Sequence, residues 1–186
     1  SRYTIQGTVA DKAYEGTNVY LQRMTADAME NTDTAIVLDG SFTFTGSVDS
    51  AVLRLIALDE SLQSKRRASV PILLEPGTLT VAFDSVVTVT GTAVNDAYTT
   101  FRVKQQEVGL ALRTTFENYN KAKQEGTLTD SMEEQVRSDF DRLNGELVGS
   151  LFAFTKENMG NELGKHLFIT SHSRFEPEQQ QELLDL

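Results

Sequence analysis

The chain has 186 residues, of which 39% are hydrophobic and 24% are charged, a balance that supports a folded core and excludes disorder as the first expectation. Its 27 acidic and 17 basic residues give a net charge of -10, which argues against nucleic-acid binding, because nucleic-acid binders neutralise phosphates with basic side chains. The lack of cysteine excludes disulfides, thiol catalysis and cysteine–zinc sites within this chain.

The first half of the chain shows the alternation of apolar and polar residues that is typical of half-buried strands. Residues that favour turns separate the short apolar runs at regular intervals. The pattern predicts about eight strands, at 3–9, 18–22, 34–38, 41–45, 52–58, 68–74, 79–83 and 86–90. Many short strands in succession are typical of an antiparallel sandwich or a barrel-like sheet.

Two turns between these strands have a clear chemical basis. The pair Asp39–Gly40 favours the positive φ of both central residues in a type I′ turn, so we predict a tight hairpin there. Phe42 and Phe44 should then lie on the same face of the following strand. The pair Pro76–Gly77 favours a type II turn, because proline presets φ at the second position and glycine accepts a positive φ at the third.

In the second half of the chain the apolar period lengthens to about 3.6 residues, which indicates amphipathic helices. Two long helices are predicted at about 94–125 and 130–158. The short segment around Gly126 that joins them should produce an antiparallel hairpin. Two shorter helices are predicted at about 162–170 and 176–186, and we expect the last one to run to the end of the chain.

These patterns together predict an α+β chain. We expect a β-sandwich or barrel-like domain at 1–91 and an all-helical extension at 92–186, which contains the long antiparallel hairpin. The final helix should present Leu183, Leu184 and Leu186 to a neighbouring domain or protein.

No catalytic or ligand-binding pattern in the sequence assigns a site residue. His166 and His172 are six residues apart, so a continuous helix would not place them on one face as metal ligands. The acidic pairs Glu133–Glu134 and Asp59–Glu60 are the kind of residues that a glycosidase uses. Acids in the first turn of a helix or in a loop are more simply explained by structure. We therefore predict no catalytic, cofactor-binding or metal-binding residue.

Three weaker features also favour a structural interpretation. Asp11, Lys12 and Asp27 lie in predicted loops and are too isolated to form a calcium site. The basic cluster Lys65–Arg67 is too small for a nucleic-acid footprint. Six phenylalanines could line a ligand pocket, but their spacing favours core packing: Phe42, Phe44, Phe101, Phe116, Phe140 and Phe154.

Five motifs follow one another in a recognisable order. They are Tyr3-Thr4-Ile5-Gln6-Gly7, Val19-Tyr20-Leu21, Asp39-Gly40-Ser41-Phe42-Thr43-Phe44-Thr45-Gly46, Leu74-Glu75-Pro76-Gly77, and Val89-Thr90-Gly91-Thr92 followed by Asn95-Asp96. In this order they resemble a β-rich domain of unknown function that precedes thioredoxin-like domains in exported proteins of Gram-negative bacteria. The resemblance covers residues 1–100 by motif and the helical half by organisation.

The longer proteins of that kind are similar to thiol–disulfide oxidoreductases and AhpC/TSA-type peroxiredoxins, whose C-x-x-C motif lies in the domain that follows. The resemblance therefore implies that this chain is not itself an enzyme and needs no cofactor. It implies an accessory domain that supports or positions a thioredoxin-like domain, which it would contact through the final helix. It also implies a periplasmic or lipid-anchored location in the cell envelope, with a membrane link only through an N-terminal lipid.

Two alternatives stay open. The chain could be a stand-alone binding module of the periplasm or cell surface, with the charged loop at 59–67 as a candidate contact. It could also be a hydrolase that uses loop carboxylates, although no base, nucleophile or oxyanion donor can be named for it.

Overall fold

A computed structural model of the chain describes residues 1–59 and 68–186. Most of the predicted loop at 59–67, including the basic cluster Lys65–Arg67 and the carboxylate of Glu60, lies outside the described residues. Within the described part, eight strands are followed by four α-helices, so the predicted α+β class and the order of its two halves are confirmed.

The strands form two four-stranded sheets, as far as the described residues show. Their bounds are β1 Arg2–Val9, β2 Asn18–Met24, β3 Met29–Ile36, β4 Ser41–Ser47, β5 Val52–Leu58, β6 Ser69–Leu74, β7 Gly77–Phe83 and β8 Val87–Thr90. One sheet has the order β4-β1-β7-β8 and the other has the order β3-β2-β5-β6. The strand pairs are antiparallel, as expected, except for β1 and β7, which run parallel.

The turn at Asp39–Gly40 has the predicted conformation but joins different sheets. Asp39 and Gly40 have φ values of 53° and 74°, and Leu38 and Ser41 exchange backbone hydrogen bonds of 2.9 and 3.1 Å across them. The predicted hairpin ladder does not continue, because β3 pairs with β2 while β4 pairs with β1. The crossing buries Phe42 and Phe44 between the sheets, where their rings pack edge to face.

Two glycines in β1 and β4 explain how these aromatic rings fit. Gly7 lies opposite Phe42, and Gly46 lies opposite Tyr3, in the same antiparallel pair of strands. A Cβ atom at Gly7 would lie 2.0 Å from the Phe42 ring, and one at Gly46 would lie 2.6 Å from the Tyr3 hydroxyl. Each ring therefore covers a backbone position that has no room for a side chain.

The helices are α1 Ala93–Glu125, α2 Asp130–Glu157, α3 Glu162–Ser171 and α4 Pro177–Leu184. The first two pack against each other as predicted, and Gly126 ends α1 with a left-handed φ of 71°. A second core lies among the helices, and Leu73 of β6 contributes to it from the β half. No helix of the described part is long and apolar enough to cross a bilayer.

The final helix differs from its prediction. It ends at Leu184 instead of running to residue 186, and the backbone amide of Asp185 bonds to the carbonyl of Gln181. Leu183 is 1% exposed and belongs to the helical core, whereas Leu184 and Leu186 are exposed. The expectation that all three leucines face outward was therefore wrong for Leu183, which α4 needs in order to pack on its own chain.

Candidate functional site

The junction of the two halves is made by polar side chains of α1 that bond to strand edges. Asn95 accepts the amide of Leu73 at 3.0 Å and donates to the Leu73 carbonyl at 2.8 Å. One turn later, the hydroxyl of Thr99 is within 2.8 Å of the Val89 amide and 2.6 Å of the Val89 carbonyl. Because β6 and β8 are edge strands of different sheets, α1 is attached to both sheets at once.

Beyond this junction the two long helices form an arm, which we define as residues 109–146. Within the arm, Ala122 is the one buried residue. The seam between the helices includes Phe116 and Phe140, whose ring centroids are 6.0 Å apart and which stay 43% and 38% exposed. At 1.5 Å per residue, the α1 part of the arm extends about 25 Å.

A cleft of about 680 Å³ lies where the arm leaves the β half. One wall is α1 and the other consists of the start of β6 and the turn between β7 and β8. The lining residues are Ala68, Ser69, Asp84, Ser85, Val86, Val87, Arg102, Gln105, Gln106, Gly109, Leu110 and Arg113. This volume lies within the usual range for small-molecule sites, which is about 300–1,000 Å³.

The guanidinium of Arg102 is held in place at this cleft. Its Nε donates to the Val87 carbonyl at 3.1 Å, and its Cζ lies 5.7 Å from the centroid of the Tyr98 ring. The remaining amino groups of Arg102 are free of further hydrogen bonds within the described residues. After Asn95 and Thr99, Arg102 is thus a third side chain of α1 that bonds to a strand backbone. It also supplies a positive charge to the cleft.

A second cleft of about 490 Å³ lies at the Asp39–Gly40 turn. Here the carboxylate of Glu15 accepts the amides of Asp39 and Gly40 at 2.7 and 3.0 Å. The side chain of Asp11 accepts the amide of Ala13 at 2.9 Å. Both acids therefore bond to the backbone of turns and stabilise them.

The histidines and those acids considered from sequence that the structure describes form no metal-binding group. His166 is half-buried in α3, where burial lowers the pKa of its imidazole, and the Nδ1 of His172 lies 3.2 Å from the Ile169 carbonyl. Glu133, in the first turn of α2, and Glu134, which follows it, are both exposed. Among the described residues, no three histidine or acidic side chains are grouped so that they could hold a metal ion.

The six phenylalanines divide between cores and surface. Phe42 and Phe44 lie in the sandwich core, and Phe101 and Phe154 lie in the helical core. Phe116 and Phe140 of the arm are exposed, so the core interpretation was wrong for them. Helical spacing alone could not reveal this, because it shows which residues share a face and not whether anything covers that face.

The family described as Domain of unknown function (DUF4369) matches residues 3–98, just over half of the chain. The chain belongs to this family. The match covers the β half and the first turns of α1, so it includes Asn95 at the junction. This match confirms the resemblance to a β-rich domain of unknown function. It does not show an association with thioredoxin-like domains.

Other comparisons add little to the DUF4369 assignment. No curated protein matches the chain. The crystal structure of a DUF3823 family protein from Parabacteroides merdae ATCC 43184 is similar at 10% identity and a TM-score of 0.31. The match covers 50% of this chain and 59% of that chain.

Proposed function

We propose that this DUF4369 domain is a non-catalytic accessory domain of a cell-envelope protein, and that it positions a thioredoxin-like domain. The observation that carries the proposal is the junction between α1 and the edges of both sheets. A domain that positions a neighbour needs a fixed geometry between its base and the part that makes contact. Asn95, Thr99 and Arg102 provide three such attachments along successive turns of one helix.

The helical half offers apolar side chains for such a contact. Phe116 and Phe140 are partly exposed on the arm, while Leu184 and Leu186 are 64% and 65% exposed after the packed residue Leu183. A neighbouring domain that covered these side chains would remove apolar surface from water, which favours association. The thioredoxin-like nature of the neighbour and the envelope location, with or without a lipid anchor, rest on the resemblance of the sequence motifs.

The intact mass of the native polypeptide, with and without a thiol-alkylating reagent, tests the first part of this proposal. This chain has a mass of 20.6 kDa and no cysteine. We expect a larger native mass and two alkylated cysteines, as a redox-active C-x-x-C requires. A native mass that matches this chain, with no added label, would contradict the link to a thioredoxin-like domain within the same polypeptide.

Hydrogen exchange in the native polypeptide and in this chain alone tests the contact surface. We expect slower exchange of backbone amides in the arm or in α4 when the neighbouring domain is present, because covered helices open less often. The exposed strand β3, Met29–Ile36, serves as the internal control and should exchange equally in both samples. Equal exchange of the arm and α4 in both samples would contradict a positioning role for the helical half.

A further inference from the structure

The cleft at the root of the arm has a positively charged wall in an acidic chain. Arg102 and Arg113 lie on the same face of α1, because eleven residues make about three helical turns. Gln106 and Gly109 lie between them on that face. The lining residues include the two guanidinium groups and one carboxylate, that of Asp84, although the whole chain has a net charge of -10.

The charged groups of the cleft differ in the contacts that they make with the rest of the chain. Arg102 is fixed by the Val87 carbonyl and the Tyr98 ring. Arg113 is exposed, and its guanidinium forms no hydrogen bond or ion pair with other residues of the described part. On the facing wall, Asp84 accepts the Ser85 amide at 2.8 Å, so part of its charge is already compensated.

Between the two arginines, Gly109 opens the wall of the cleft. A Cβ atom placed at Gly109 would have no neighbour within 4 Å. Glycine in the interior of a helix is destabilising by about 0.5–1 kcal/mol relative to alanine. The helix is therefore less stable at the cleft than it would be with alanine at position 109. The neighbouring side chains of Gln105 and Gln106 add amide groups that can donate or accept hydrogen bonds.

We propose that this cleft binds an extended polyanionic ligand, whose acidic groups pair with Arg102 and Arg113. Guanidinium groups form bidentate hydrogen bonds with carboxylates and phosphates, and Arg102 is already oriented for such a contact. The two arginines are separated by about 16 Å along the helix axis, so the ligand must carry more than one acidic group along its length. The glutamine side chains and the hydroxyl of Ser69 would bond to the segment between these groups.

Nuclear magnetic resonance titrations of the whole chain test this proposal with two probes. The first is an N-acetylated, C-amidated tetraglutamate peptide, which carries carboxylates, and the second is linear tetrapolyphosphate. The resonances observed are the Nε–H of Arg102 and the backbone amide of Gly109. We expect a saturable shift of both resonances with at least one probe, and the probe that binds more tightly identifies the acidic group that the cleft prefers.

A pair of substitutions at Gly109 separates binding in the cleft from attraction to the surface in general. Gly109→Glu places a carboxylate between the arginines, and Gly109→Gln adds a neutral side chain of the same size. Both should fold, because the position is open and glycine is the poorer helix former. We expect Gly109→Glu to weaken binding by about tenfold or more relative to Gly109→Gln, which corresponds to the loss of one favourable ionic contact.

Two further variants each remove one positive charge, one within the cleft and one outside it. Arg113→Gln should weaken binding by about fivefold or more, while Arg137→Gln, on α2 outside the cleft, should change it by less than about twofold. Absence of saturable shifts with both probes up to about 10 mM would overturn the proposal, since such affinities are too weak for a specific site. Equal binding by the Gly109→Glu and Gly109→Gln variants would also overturn it.

Discussion

Asn95 of α1 occupies the place of a neighbouring strand beside Leu73 of β6. Its side-chain amide accepts the Leu73 amide at 3.0 Å and donates to the Leu73 carbonyl at 2.8 Å, as the backbone of an adjacent strand residue would. Asn95 is 1% exposed, so water cannot replace these bonds. At Leu73 the edge of the sheet is thus paired with a helix side chain instead of with another strand.

Asn95→Ala should destabilise the chain by about 2–3 kcal/mol, because the amide and carbonyl of Leu73 lose their partners in a buried place. The measurement is the free energy of unfolding from urea denaturation, followed by circular dichroism. Asn118→Ala, an exposed asparagine on the same helix, is the matched control and should change stability little. Equal stability of the Asn95→Ala variant and the unsubstituted chain would show that the junction is not held by this residue.

Gly7→Ala should destabilise the β half by at least about 2 kcal/mol, because the new methyl group overlaps the Phe42 ring. Replacing Phe42 with leucine in the same variant should recover part of the loss. Gly149→Ala, at an exposed position of α2 with open space around it, should have the opposite sign and stabilise by about 0.5–1 kcal/mol. No loss of stability for Gly7→Ala in thermal or urea unfolding would contradict the close packing of Phe42 on β1.

Leu183→Ala should destabilise the chain by about 2–5 kcal/mol, as is typical when a buried leucine is truncated. Its neighbour Leu184 is 64% exposed, so Leu184→Ala should cost much less. Denaturant unfolding of the two variants measures the difference directly. Similar small losses at both positions would mean that α4 is not packed on the helical core in solution.

His166 should make the stability depend on pH. Burial disfavours its charged form and lowers the pKa of the folded state below 6.5, so the unfolded state binds the proton more readily. The free energy of unfolding should therefore fall as the pH drops through about 6.5, and this loss should level off below the folded-state pKa. The His166→Gln variant should lose less stability than the unsubstituted chain between about pH 8 and pH 5.

A second variant checks that this effect belongs to the imidazole. Lys165→Gln removes a charge from the neighbouring exposed position of the same helix and should retain the pH dependence of the unsubstituted chain. If the chains with histidine and with glutamine at position 166 lost stability in parallel as the pH fell, burial of His166 would not be the cause.

The sequence predicts the elements of this fold well wherever local patterns decide them. The segment 52–58 was placed correctly because all of its residues except Arg54 are apolar. The bounds of the long helices agree with the structure to within a residue. The start of β3 was missed, because residues 29–33 are exposed on both faces of an edge strand and show no alternation of apolar and polar residues.

The junction and the cleft depend on tertiary structure and could not be predicted from local patterns. Asn95 is a single polar residue on a helix, and only the position of β6 beside it gives its side chain a function. The eleven-residue spacing of Arg102 and Arg113 could have suggested a common helix face. That this face lies opposite the turn between β7 and β8 follows only from the way α1 meets both sheets.

The most direct test of the account is the distance between the β half and the arm, measured by double electron–electron resonance. The chain lacks cysteine, so spin labels can be attached at Thr43→Cys on β4 and Lys121→Cys on the arm without competing sites. We predict one narrow distance distribution, which should broaden when Asn95→Ala and Thr99→Val are added. A broad distribution in the labelled chain without these two substitutions would contradict an arm held rigidly by its junction with both sheets.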